Sequence, residues 1–142
     1  MIIQAFSAFF ATFFFSIIFN ISKKELIYCG LGGAIGWSIY LYVLHKTQSP
    51  VMASFCGAFI VGIFSRIMSK IRKVPVTIFL VSGIIPLVPG AGMYRTMFAI
   101  VDNDLSKAAT HGILTLQIAG VIAMAMVMVS SFPHHSHSNV NK

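Results

Sequence analysis

The residues best suited to chemistry in this chain are Pro86, Pro89, Gly90, Gly92, Tyr94 and Arg95. They sit in the apolar stretch from Val74 to Tyr94, around Pro86-Leu87-Val88-Pro89-Gly90-Ala91-Gly92. Proline has no amide hydrogen and glycine weakens a helix, so a helix through this run breaks its own ladder. Carbonyls near Ser82 to Ile85 lose their donors one turn on. A new helix starting near Gly92 presents unpaired amides and the positive end of its dipole, a setting that suits a carboxylate. Arg95, in the first turn of that helix, adds a full charge. At membrane depth such a charge costs at least about 2.5 kcal/mol, which an anionic ligand would offset. Arg95 could equally snorkel to the outer headgroups, and Tyr94 could sit in an interfacial belt instead of donating to a ligand. The plainer reading of the break is a proline kink satisfied by neighbouring helices. The density of proline and glycine favours a built site.

Two further groups could carry a proton. Asp102 is one of only 3 acids in the chain, and His111 lies on the last apolar run. The competing readings are a solvated loop for Asp102 and a helix-to-helix hydrogen bond for His111. Asp104 or Ser106 is expected to cap the helix that follows. Gln117 lies about 240° around that helix from His111, so the two do not form one site. The tail His134-His135-Ser136-His137 could bind a metal, but no other ligating group joins it, so no metal and no cofactor is expected. With 3 acids in all, general acid–base catalysis has few candidates, and the chain does not read as an enzyme.

These residues need elements to hold them, and the elements are those of a membrane protein. Of 142 residues, 57% are hydrophobic and 9% charged, where a soluble domain has about a quarter charged. Mean hydropathy is +0.88. The net charge of +7 comes in short clusters between apolar runs, as membrane topology requires, and not as a nucleic-acid surface. Cys29 and Cys56 lie inside apolar runs and read as small buried hydrophobes. The first run lacks a charged start and a cleavage site, so it reads as a retained span.

The expected fold is an all-α integral membrane bundle of five transmembrane helices, the fourth broken at the proline–glycine motif. The spans are expected at about 2–19, 26–44, 51–68, 74–101 and 105–132, followed by a disordered polar tail at 134–142. The first three runs each measure close to 27 Å as helices, at about 1.5 Å per residue. Wound as one helix, Val74 to Val101 would measure about 42 Å, too long for a hydrocarbon core of about 30 Å. Two shorter pieces around an unwound middle fit better. Gly32 and Gly36 share one helix face, and Gly57 and Gly62 extend the same small-residue pattern into the third run, so these four are expected at helix packing contacts. The series Gly30-Leu31-Gly32-Gly33-Ala34-Ile35-Gly36 is not a dinucleotide loop, since no strand precedes it and its last glycine is displaced. Lys23 and Lys24, and then Arg66, Lys70, Arg72 and Lys73, fall on alternate loops. That places the N-terminus outside and the C-terminus in the cytoplasm. A re-entrant fourth segment would invert the last helix.

At the break the chain resembles the threonine/serine exporter family, in particular its short, transmembrane-only subunits. The features that match are Val74-Pro75, then Ile84-Ile85-Pro86-Leu87-Val88-Pro89-Gly90, then Tyr94. Phe19-Asn20 with its basic turn and Tyr28-Cys29-Gly30-Leu31-Gly32-Gly33-Ala34-Ile35-Gly36 match the family's first hairpin. The resemblance covers nearly the whole chain except the histidine tail. It implies a multi-pass protein of the bacterial inner membrane that exports small carboxylate-bearing metabolites such as threonine, serine or succinate. It also implies a partner: a longer sister subunit with a soluble N-terminal region, or self-association. The proton gradient is the expected driving force. The alternative is a scaffold or assembly subunit with no substrate pathway of its own.

Overall fold

The computed structural model describes residues 2–131, and the described residues are helical throughout, with no strand. The histidine-rich tail lies outside them. The helices are α1 (Ile2–Ile18), α2 (Leu26–Thr47), α3 (Pro50–Arg72), α4 (Val76–Ile84), α5 (Gly90–Val101) and α6 (Leu105–Ser131). A short 3-10 turn, Ile85–Leu87, follows α4.

Helices α2, α3 and α6 are long and apolar enough to cross a membrane, and α4 with α5 makes one bent pair, either a broken fourth span or a re-entrant segment. Helix α1 has 17 residues, about 26 Å, slightly short of the hydrocarbon thickness. The helices run further than the apolar runs alone imply. Lys70 and Arg72 lie within the last turn of α3, because long basic side chains complement the negative end of a helix. At the start of α3, Ser49 accepts from the Met52 amide at 3.5 Å and Pro50 takes the first helical position. Pro75 stands just before α4, which starts at Val76. Gln48 and Lys73 end their helices in the left-handed conformation, at φ 53° and 56°.

Packing is that of a protein dissolved in lipid: small and polar residues face inward and large apolar ones outward. On α1 the buried residues Ala8, Thr12 and Ser16 recur every four positions and face α2 and α4. Phe6, Phe10 and Phe14 recur at the same interval on the outer face. Glycines allow the close contacts that lipid-embedded helices depend on. Gly32 lies under the Phe64 ring, Gly36 and Gly57 bring the backbones of α2 and α3 together, and Gly62 seats Val129 of α6. The core is built from Ala58, Val61, Ile84, Leu87, Ile122 and Ala125, so it joins α3, the end of α4 and α6. Among the described residues α5 packs on α6 alone, and α6 in turn packs on α3 and joins it to the bundle.

Two polar ties fix the bundle's end. Arg72 donates to both carboxylate oxygens of Glu25, which joins the start of α2 to the end of α3. Arg66 donates to the Ser130 carbonyl at 2.9 Å, in the last turn of α6. The clusters at Lys23–Lys24 and Lys70–Lys73 therefore sit at one end of the molecule.

Candidate functional site

Each proline of the broken segment redirects one carbonyl. Pro86 has no amide for the Ser82 carbonyl, which accepts from Ile85 instead. Pro89 has none for the Ile85 carbonyl, which accepts from Val88 at 3.3 Å. Both substitutes span three residues rather than four, and this tightens the chain into the 3-10 turn Ile85–Leu87. Val88, preceding a proline, is extended at φ −60° and ψ 130°. The two halves, Val76–Leu87 and Gly90–Val101, meet at 49°.

Helix α5 begins at Gly90, before the start expected near Gly92, because the Pro89 carbonyl already accepts from Met93 at 3.1 Å. Tyr94 and Arg95 therefore lie in the second turn of α5, not the first. The Gly90 amide donates to the Val88 carbonyl at 2.7 Å. Among the described residues the amides of Ala91 and Gly92 have no acceptor in the protein.

Beside the break lies a cavity of about 270 Å³. The break contributes Pro86, Leu87, Val88, Pro89, Ala91 and Gly92, and α5 adds Arg95. Opposite stand Trp37 and Tyr40 of α2, Pro50 and Ser54 of α3, and His111, Leu114, Thr115 and Ile118 of α6. The α6 residues recur at the spacing of one helix face. Thr115 donates to the His111 carbonyl at 2.7 Å, which orients its hydroxyl along its own helix. Gly92 packs directly on Thr115, so a side chain at position 92 would force the Thr115 hydroxyl to move. Trp37 and Tyr40 stack with centroids 4.9 Å apart and form the aromatic side of the cavity.

A second hollow of about 160 Å³ lies further along the α5–α6 contact. It is lined by Tyr94, Arg95, Phe98, Ala99, Asp102, Asp104, Lys107 and His111. Asp104 caps α6, accepting from the Lys107 amide at 3.0 Å, and pairs with the Lys107 ammonium at 2.8 Å. Both contacts hold the Asp104 carboxyl below its ordinary range. Arg95 and His111 belong to both hollows and form the partition between them.

The structure thus gathers Pro86, Pro89, Gly92 and Arg95 around one cavity and adds His111 to it. Tyr94 is placed differently: it is 69% exposed and faces the second hollow. The 100° step per residue that turns Arg95 toward the first cavity turns Tyr94 away. Gly90 faces open space and lines neither hollow. Asp102 lines the second hollow alone. Trp37, Tyr40, Ser54 and Thr115 were not anticipated from sequence. Thr115 had one visible signal, its place one turn beyond His111. No group of His, Cys, Asp or Glu able to hold a metal occurs among the described residues.

Comparison with known proteins adds a family. The sequence profile described as "Threonine/Serine exporter, ThrE" matches residues 4–132. A Haemophilus influenzae protein of no stated function is 30% identical over 88 residues, which are 62% of this chain and 30% of that protein. A Corynebacterium glutamicum protein named threonine/serine exporter is 28% identical over 105 residues, 74% of this chain and 21% of that protein. The matched segment thus spans less than a third of either relative. No solved structure matches the chain. The profile covers the break, both hollows and all six helices, and by it this chain belongs to the threonine/serine exporter family, a family of membrane transporters and not of enzymes.

Proposed function

We propose that the protein is the membrane subunit of a secondary exporter for small carboxylate-bearing metabolites, with threonine and serine as the first candidates. The observation that carries this reading is the cavity at the break, where the acceptor-free amides of Ala91 and Gly92 share walls with the guanidinium of Arg95. Amides at a helix start and a guanidinium together fit a carboxylate. The polar groups on α6 and α3 can bind a substrate hydroxyl. The bent junction of α4 and α5 is the natural pivot for alternating access, since its ladder is already interrupted. His111 is the better placed of the two proton-carrier candidates, because it faces both hollows, whereas Asp102 faces only the outer one.

In this reading α1 also crosses, to give five spans in the bacterial inner membrane. The basic end of the bundle then lies in the cytoplasm and the N-terminus outside. Among the described residues α5 packs on α6 alone, and its uncovered faces favour a partner, either a longer subunit of the same family or a second copy.

Arg95→Ala tests the proposal. In cells or membrane vesicles carrying the protein with its partner, threonine and serine export should fall at least tenfold while the amount of protein in the membrane stays level. Unchanged export would remove Arg95 from the mechanism. If substitutions around the break altered complex assembly and left export by assembled complexes untouched, the scaffold reading would replace this one.

A further inference from the structure

We infer that the outer hollow recognises the ammonium group of a zwitterionic amino acid through Asp102, and so makes Asp102 a specificity-determining residue. The inference rests on the exporter reading and deepens it.

Four charged side chains line this hollow: Arg95, Asp102, Asp104 and Lys107. Asp104 and Lys107 satisfy each other, at 2.8 Å. Among the described residues that leaves one cation, Arg95, and one anion, Asp102, without an ion-pair or hydrogen-bonding partner in the same hollow. An α-amino acid carries the complementary two charges on one carbon. A dicarboxylate carries two negative charges, and Asp102 would repel one of them.

The placement follows from the helix. Arg95 and Asp102 are seven residues apart, so they fall within about 20° of one line along α5 and about 10 Å apart along its axis. The hollow's 160 Å³ matches the liquid volume of about five waters, which suits a small metabolite. Arg95 also reaches the inner cavity. A substrate whose carboxylate stays on Arg95 can therefore exchange one hollow for the other without releasing its strongest partner. Its ammonium is held by Asp102 only in the outer position. Arg95 then serves every carboxylate, whereas Asp102 selects those that carry a cation.

The test compares two substrates of the same skeleton, threonine and the hydroxy acid with hydrogen in place of its amino group. Transport is measured in vesicles from cells that make the protein with its partner, for the native chain, Asp102→Asn and Asp102→Glu. The expected result is at least a fivefold loss of threonine transport in Asp102→Asn, with hydroxy-acid transport unchanged or raised, and substantial recovery of threonine in Asp102→Glu. Equal loss of both substrates in Asp102→Asn, at equal protein in the membrane, would assign Asp102 to the fold or to a proton and overturn the inference. So would equal retention of both. If the native chain carries neither substrate, the exporter reading itself fails, and the ammonium site fails with it.

Discussion

Glu25 and Arg72 form a two-pronged ion pair across the bundle's end: Nε of Arg72 lies 3.1 Å from both carboxylate oxygens and Nη2 lies 2.9 Å from Oε1. Glu25 is 5% exposed, and the guanidinium also lies over the Tyr28 ring, 5.0 Å from its centroid. The pair joins the N-cap of α2 to the last turn of α3, so it closes the far end of two consecutive helices that lie side by side.

Removing one member of this pair should cost more than removing both. Arg72→Ala leaves a buried carboxylate without its counter-ion, which we expect to lower the melting temperature clearly. The double variant Glu25→Ala/Arg72→Ala should recover part of that loss. Thermal unfolding of the three variants in one detergent measures the coupling. Simple addition of the two single effects would show that the pair contributes nothing beyond its separate contacts.

The glycines at the α2–α3 contact set how closely the helices approach. A Cβ on Gly57 would lie 3.1 Å from the Gly36 carbonyl oxygen and 3.1 Å from Leu87, and neither the backbone nor a core leucine yields cheaply. Gly57→Ala should therefore destabilise by about 1–3 kcal/mol. Gly120→Ala, with nothing within 4 Å, is the control and should be neutral or mildly stabilising. Melting temperatures of the two variants side by side give the answer, and an equal effect would count against tight packing at Gly57.

Restoring an amide at the break should straighten it. Pro89→Ala returns a donor to the Ile85 carbonyl, which now depends on Val88. We expect the 49° bend to relax and export to fall, with little change in melting temperature. Spin labels on exposed positions of α4 and α5 would report the angle. An unchanged angle together with full export would show that the bend does not depend on this proline.

The outer turn should loosen in acid. Bonds from Lys107 lower the Asp104 carboxyl from its ordinary 3.8. A carboxyl depressed in the folded state stabilises that state above its unfolded value and loses the contribution as pH falls through the lower folded value. Amide exchange at residues 102–108 should therefore quicken only below about pH 3.8. Asp104→Asn should exchange faster at neutral pH and show no such acid step. A native profile that is flat through this range would count against the pairing.

Much of this was legible in the chain because lipid imposes strict chemistry. Apolar runs with few charges mark helices, since each backbone group must be paired within its own segment, and Pro86 and Pro89 mark the place where that pairing fails. Gly32, Gly36, Gly57 and Gly62 were visible at helical spacing for the same reason. These features follow from local stereochemistry and the solvent, so sequence by itself determines the class of protein and the position of the break. Which groups share a cavity does not follow. Tyr94 and Arg95 are neighbours in sequence, yet rotation about α5 turns only Arg95 into the cavity at the break. Trp37, Ser54 and Thr115 come from three separate helices, and Glu25 finds Arg72 only when α2 and α3 lie side by side. Those meetings depend on helix rotation and crossing angle, set by many small contacts at once, and it is the tertiary structure that decides them.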